Sequence, residues 1–89
     1  MEDRYQGKLP IEIKYCIVCG WLPLALWVAT EIWHEFGEEA PVTLTPVGDA
    51  RLEVYAAGEK LYDRKAEGGI FPDMRRLTAL RQTIRQKLA

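Results

Sequence analysis

Residues 11–23, Ile11-Glu12-Ile13-Lys14-Tyr15-Cys16-Ile17-Val18-Cys19-Gly20-Trp21-Leu22-Pro23, pass from a two-residue apolar period into an uncharged run, and that passage decides the fold. Ile11, Ile13 and Tyr15 alternate with Glu12 and Lys14, which predicts a strand over residues 9–15. The segment from Trp21 to Phe36 is too long for a strand and has no internal glycine. It repeats Leu22, Leu26, Ala29, Trp33 and Phe36 on one helical face, and Gly37 stops it. Pro23 is tolerated where a helix leaves its N–H groups unpaired, so the helix begins close to Cys19 and Gly20. The two cysteines thus occupy a strand-to-helix turn.

Downstream, residues 42–45, 51–56 and 60–64 read as three further strands, the last two joined by a tight turn through Ala57-Gly58-Glu59. Pro46 reads as a strand terminator. Gly68-Gly69 closes the sheet, and Asp73 is a cap for a last helix with the stripe Met74, Leu77, Leu80, Ile84 and Leu88. Glu12, Lys14, Thr43, Thr45 and Glu53 recur at alternate positions, so one sheet face is expected to meet water. Both helices then pack on the other face. The right-handed crossover makes the first two strands parallel, and the short turn makes the last two antiparallel. The expectation is a two-layer α/β, thioredoxin-like fold, β-α-β-β-β-α, with a four-stranded mixed sheet.

At 89 residues the chain is sized for one domain, expected over 9–89 after a flexible N-terminal segment at 1–8. A formal net charge of −1 gives no general attraction to nucleic acid or anionic membrane. The cationic residues Arg75, Arg76, Arg81, Arg85 and Lys87 of the last helix read as a solvated face. The N-terminus lacks the basic start and apolar core of a signal peptide, and the uncharged run 15–30, broken by Gly20 and Pro23, is too short to span a bilayer. A cytoplasmic location is expected, with no nucleic-acid or membrane partner.

In a reducing compartment, Cys16 and Cys19, the only two cysteines, can be a working dithiol, part of a metal site or a buried pair. A tight turn brings their Cα atoms within the roughly 4.4–6.8 Å that a disulfide requires. Helix N–H groups and the helix dipole favour thiolate, while Ile17, Val18, Trp21 and Leu22 oppose it by desolvation, so a modest depression of the thiol pKa is expected. Structural zinc needs four ligands, and His34 lies about fifteen residues on, roughly 20 Å along the helix. No metal is therefore expected. Trp21, Trp27 and Trp33 stand about 120 degrees apart around the helix axis and cannot share one core face. Trp21 or Trp27 on the surface beside the dithiol would form a docking platform for a partner protein or for a second copy in a homodimer.

The run Tyr15-Cys16-x-x-Cys19-Gly20-Trp21-x-Pro23, with Glu35-Phe36, Leu52-Glu53-Val54 and residues 65–69, resembles the selenoprotein W branch of the SelT/SelW/SelH (Rdx) family over residues 9–88. The likeness is to bacterial members with cysteine where others carry selenocysteine, the position of Cys19. The resemblance implies a thiol–disulfide oxidoreductase with Cys16 and Cys19 catalytic and Gly20, Trp21 and Pro23 in support. It implies exchange with protein thiols or with glutathione as co-substrate, and no bound cofactor. Thioredoxins place a cis-proline before the third strand; here that position is Ala50, and the selenoprotein W branch generally lacks the proline too. The competing expectation is a protein-binding module or redox sensor that docks partners through the apolar surface of the first helix.

Overall fold

A computed structural model describes residues 5–89; residues 1–4 of the expected N-terminal segment lie outside the described residues. In the remainder of that segment the Lys8 N–H donates to the Glu39 carbonyl at 3.1 Å. Strand β1 (Ile11–Cys16) buries Ile11, Ile13 and Tyr15 and leaves Glu12 and Lys14 half-buried, as the alternation requires. Helix α1 (Leu22–Phe36) follows, with Pro23 in its first turn and Gly37 at its end with φ 55°, the left-handed region that glycine enters without strain. A short 3-10 turn (Gly37–Glu39) leads into β2 (Val42–Val47), then β3 (Leu52–Ala56), β4 (Glu59–Asp63) and α2 (Met74–Leu88).

The sheet order is β2-β1-β3-β4. β1 runs parallel to β2, with Ile13 opposite Leu44, and antiparallel to β3, with Ile13 opposite Val54; β3 and β4 are antiparallel. Pro46 does not terminate β2. It lies inside the strand opposite Tyr15. β2 is an edge strand, and a residue without an N–H is accommodated where one side of the ladder is open.

The core lies between one sheet face and both helices: Ile11, Ile13, Tyr15, Leu52, Val54 and Ala56 from the sheet, Ala25, Val28, Ile32 and Phe36 from α1, and Leu77, Leu80 and Ile84 from α2. On α2 the expected stripe is buried at Leu77, Leu80 and Ile84 and half-buried at Leu88, while Met74 is exposed. On α1 the buried stripe differs from the expected one. Leu22, Leu26 and Trp33 are exposed and Ala29 is half-buried; only Phe36 belongs to both sets. Apolar residues occupy almost every position of 22–29, so the periodicity has no unique phase there, and the sheet selected the narrower stripe headed by Ala25, which permits close approach.

The opposite sheet face is polar but not uniformly wet. Glu53 is only 5% exposed, contrary to its expected solvation. Its carboxylate accepts two hydrogen bonds from Arg51, both at 2.9 Å, and one from the Tyr55 hydroxyl at 2.6 Å. The Arg51 guanidinium holds the Glu53 carboxyl far below the usual range, at about 2, against the opposing effect of burial and with help from Tyr55. Beside it, Lys14 lies 4.8 Å from the Tyr55 ring centroid and Thr45 donates to Glu12 at 2.7 Å.

Candidate functional site

Cys16 is the last residue of β1 and is held by two neighbouring strands. Its N–H donates to the Arg51 carbonyl at 2.9 Å, and the next N–H, of Ile17, donates to the Val47 carbonyl at 2.9 Å. The chain then turns sharply: the Gly20 N–H donates to the Ile17 carbonyl at 3.1 Å and the Trp21 N–H to the Cys16 carbonyl at 3.3 Å. Gly20 has φ 77°, and its missing Cβ is required by that conformation, since nothing lies within 4 Å of where a Cβ would be. The turn brings the Cα atoms of Cys16 and Cys19 to 5.3 Å, and the two sulfurs form a disulfide.

The pair is asymmetric. Cys16 is fully buried, whereas Cys19 is exposed together with Ile17, Val18 and Gly20. Cys19 also stands nearer the start of α1, whose N-cap is Trp21 and whose first turn receives no side-chain hydrogen bond. An uncapped helix start presents N–H groups and positive dipole to whatever lies before it, an environment that favours a thiolate over a thiol. Pro23 removes one of those donors and leaves the rest.

The expected supporting residues Gly20, Trp21 and Pro23 all fall at this turn. Trp21 and Trp27 are half-buried against the core, and the exposed tryptophan is Trp33, at 62%. Trp21 takes part in a cluster that sequence reading missed. Its ring meets Phe71 edge-on, with centroids 5.1 Å apart. The Arg64 guanidinium packs against both rings, 4.7 Å from the Trp21 centroid and 4.6 Å from that of Phe71. Residues 64 and 71 belong to the connection between β4 and α2, and no spacing in the sequence relates them to a motif some forty residues earlier. The one available signal was an arginine and an aromatic residue flanking Gly68-Gly69.

Ile17, Val18, Leu22, Leu26, Ile70 and Phe71 are exposed, Val18 to 85%. Residues 17–22 belong to the dithiol turn and the start of α1, and Phe71 reaches that turn through Trp21. His34 is exposed on α1, and among the described residues no group of three or more histidines, cysteines or carboxylates is placed to hold a metal ion. Likewise, no helix among them is long and apolar enough to cross a membrane.

Comparison with known proteins gives a consistent picture. The sequence model of the Rdx family matches residues 10–86. A selenoprotein W-related protein from Vibrio cholerae has a solved structure that is 34% identical, with the match covering 93% of this chain and 100% of that one at a TM-score of 0.81. A structure from Bordetella parapertussis is 32% identical over 91% of this chain and 99% of its own, at a TM-score of 0.78. No curated protein matches by sequence.

Proposed function

The chain belongs to the Rdx family, and from that membership and the turn geometry we propose that it is a thiol–disulfide oxidoreductase cycling Cys16 and Cys19 between dithiol and disulfide. The observation that carries this reading is the pairing of one fully buried and one exposed cysteine, Cα atoms 5.3 Å apart, at an uncapped helix start.

In the reducing direction, the Cys19 thiolate attacks one sulfur of a disulfide RS–SR. The S–S bond breaks, a mixed disulfide Cys19–S–SR forms, and RS⁻ leaves. Cys16 loses its proton and attacks the Cys19 sulfur, releasing the second RS⁻ and closing the Cys16–Cys19 bond. Two electrons pass from the protein to the substrate, and protons from Cys19, Cys16 and solvent leave both products as thiols. Burial of Cys16 suits the resolving role, since it needs to reach only Cys19. The step calls for no metal and no organic cofactor. Protein thiols and glutathione are the partners proposed, and a reducing cytoplasm is the compartment that keeps such a pair available as a dithiol.

Intact mass after iodoacetamide tests the proposal. Reduced folded protein is expected to gain one carbamidomethyl group quickly at exposed Cys19 and a second slowly at buried Cys16, and protein treated with mild oxidant none, with a loss of two hydrogens instead. Thiols that stay unmodified after reduction of the folded protein, and unoxidised by mild oxidant, would identify a buried structural pair.

A second reading has an observation of its own in the apolar surface of Val18, Leu26 and Trp33, exposed to 85%, 47% and 62%. It makes the domain a binding module or redox sensor that docks a partner or a second copy there. A Cys16→Ser/Cys19→Ser protein that still rescues the function of the chain in its host would favour this reading.

A further inference from the structure

Arg64 is held unlike four of the other described arginines; exposed Arg75 also pairs with no carboxylate among the described residues. Arg51, Arg76, Arg81 and Arg85 each pair with a glutamate. Among the described residues no carboxylate pairs with Arg64; its guanidinium packs against the rings of both Trp21 and Phe71 instead. Its Nε is buried with no hydrogen-bond partner. Two aromatic rings thus restrain a cation to which no side chain among the described residues supplies a carboxylate partner.

Its location is set by the sheet. The Arg64 N–H donates to the Leu52 carbonyl at 3.0 Å, and Leu52 is opposite Tyr15, the residue before Cys16. Two strand spacings, about 10 Å, therefore separate the Arg64 backbone from the end of β1. The side chain covers part of that distance, because its guanidinium lies against the ring of the residue two positions after Cys19. Among the described residues, no other arginine is stacked on a residue of the dithiol turn.

We propose that Arg64 recognises a carboxylate on the substrate, so that the site takes thiols and disulfides bearing a carboxylate near the reacting sulfur. A guanidinium packed against two rings is restrained, and its planar fork of terminal N–H groups is the geometry that meets a carboxylate with two parallel hydrogen bonds. Its partial desolvation strengthens that pairing relative to a fully hydrated lysine. The uncapped start of α1 adds positive potential on the same side of the molecule. The assignment rests on the oxidoreductase reading above and deepens it: Cys19 is attacked by, or attacks, a sulfur whose carboxylate Arg64 holds, and the electron balance of the exchange is unchanged.

The test measures the rate at which reduced protein is oxidised by three small disulfides: dithiodiglycolate (anionic), hydroxyethyl disulfide (neutral) and cystamine (cationic). Each rate is divided by that of a free model thiol of matched pKa, to remove intrinsic reactivity. The wild-type protein is expected to prefer the anionic disulfide over the neutral one by about tenfold, with cystamine slowest. Arg64→Gln is expected to bring that ratio close to one, and Arg64→Lys to keep part of it. If Arg64→Gln does not fold, a wild-type preference that falls toward unity at high salt supports the assignment, and one indifferent to salt overturns it. A ratio unchanged by Arg64→Gln also overturns it, including the case where all three rates fall together, because Arg64 would then only support the dithiol turn. Should wild-type protein react with none of the three, the oxidoreductase reading fails first and this assignment with it. Cysteine peptides carrying glutamate or glutamine beside a mixed disulfide separate the sources of the carboxylate: a glutamate preference that depends on Arg64 extends the assignment to acidic protein segments, and equal rates confine it to small thiols.

Discussion

α1 and α2 are the same length, 15 residues each, and pack on the same sheet face, yet their starts are built differently. α2 opens on Asp73, whose carboxylate accepts the Arg76 N–H at 2.9 Å, and its polar residues lie opposite a buried stripe. α1 opens on Trp21 with no side-chain cap, and residues 22–30 carry no charge, so apolar side chains face both the core and solvent. A capped, amphipathic helix is what stability alone favours. α1 gives up the cap and the polar outer face at the end that adjoins Cys19, the end where the proposed function places the attacking thiol. Of the two helices, the one that departs from local rules is the one that begins at the proposed site.

The largest effect that probes this contrast comes from the two faces of α1. Ile32→Ala, at a fully buried position, is expected to cost about 2–5 kcal/mol, and Leu26→Ala, at a half-exposed one, under about 1 kcal/mol, by urea unfolding. Equal costs would mean that Leu26 is covered in solution and that the outer face of α1 is not free.

Acid sharpens the comparison from the other side of the sheet, because neither helix stripe contains a carboxylate. Glu53, held at about 2, contributes stability that is fully present above the ordinary glutamate value and is lost as pH falls through that window. The expected loss is about 2–3 kcal/mol between roughly pH 4.3 and pH 2, and Glu53→Gln should remove that part of the pH dependence. The smallest effect is at the cap itself. Asp73→Ala should cost about 1 kcal/mol, while no side-chain replacement at the α1 N-cap can remove a cap that is not there.

What the sequence made legible follows the same division. The strand period at Ile11, Ile13 and Tyr15, the Asp73 cap and the Leu77-Leu80-Ile84 stripe each carry a polar–apolar contrast, and each was readable. The C-x-x-C and its place at a strand-to-helix turn were readable because Gly20 and Pro23 fix the chain there. The inner face of α1 was not, since a segment apolar in every direction gives no phase. Pro46 was misread because a proline shows which strands it can enter only once the edge of the sheet is known. Glu53 looked solvated by alternation, and its burial depends on Arg51 and Tyr55 closing over it on the same face. Arg64 meets Trp21 and Phe71 only through the folding of the β4–α2 connection onto the dithiol turn.

The most direct measurement of the central claim, that exposed Cys19 reacts with substrate and buried Cys16 resolves, uses Cys16→Ser and Cys19→Ser separately, each reduced and mixed with oxidised glutathione across pH. Formation of the mixed disulfide is followed by mass. Cys16→Ser is expected to be trapped on Cys19 at least about tenfold faster than Cys19→Ser is trapped on Cys16, with a pH midpoint below the ordinary thiol value of about 8.5. Faster trapping on Cys16 in the Cys19→Ser protein would contradict the assignment and place the attacking thiol at the end of β1.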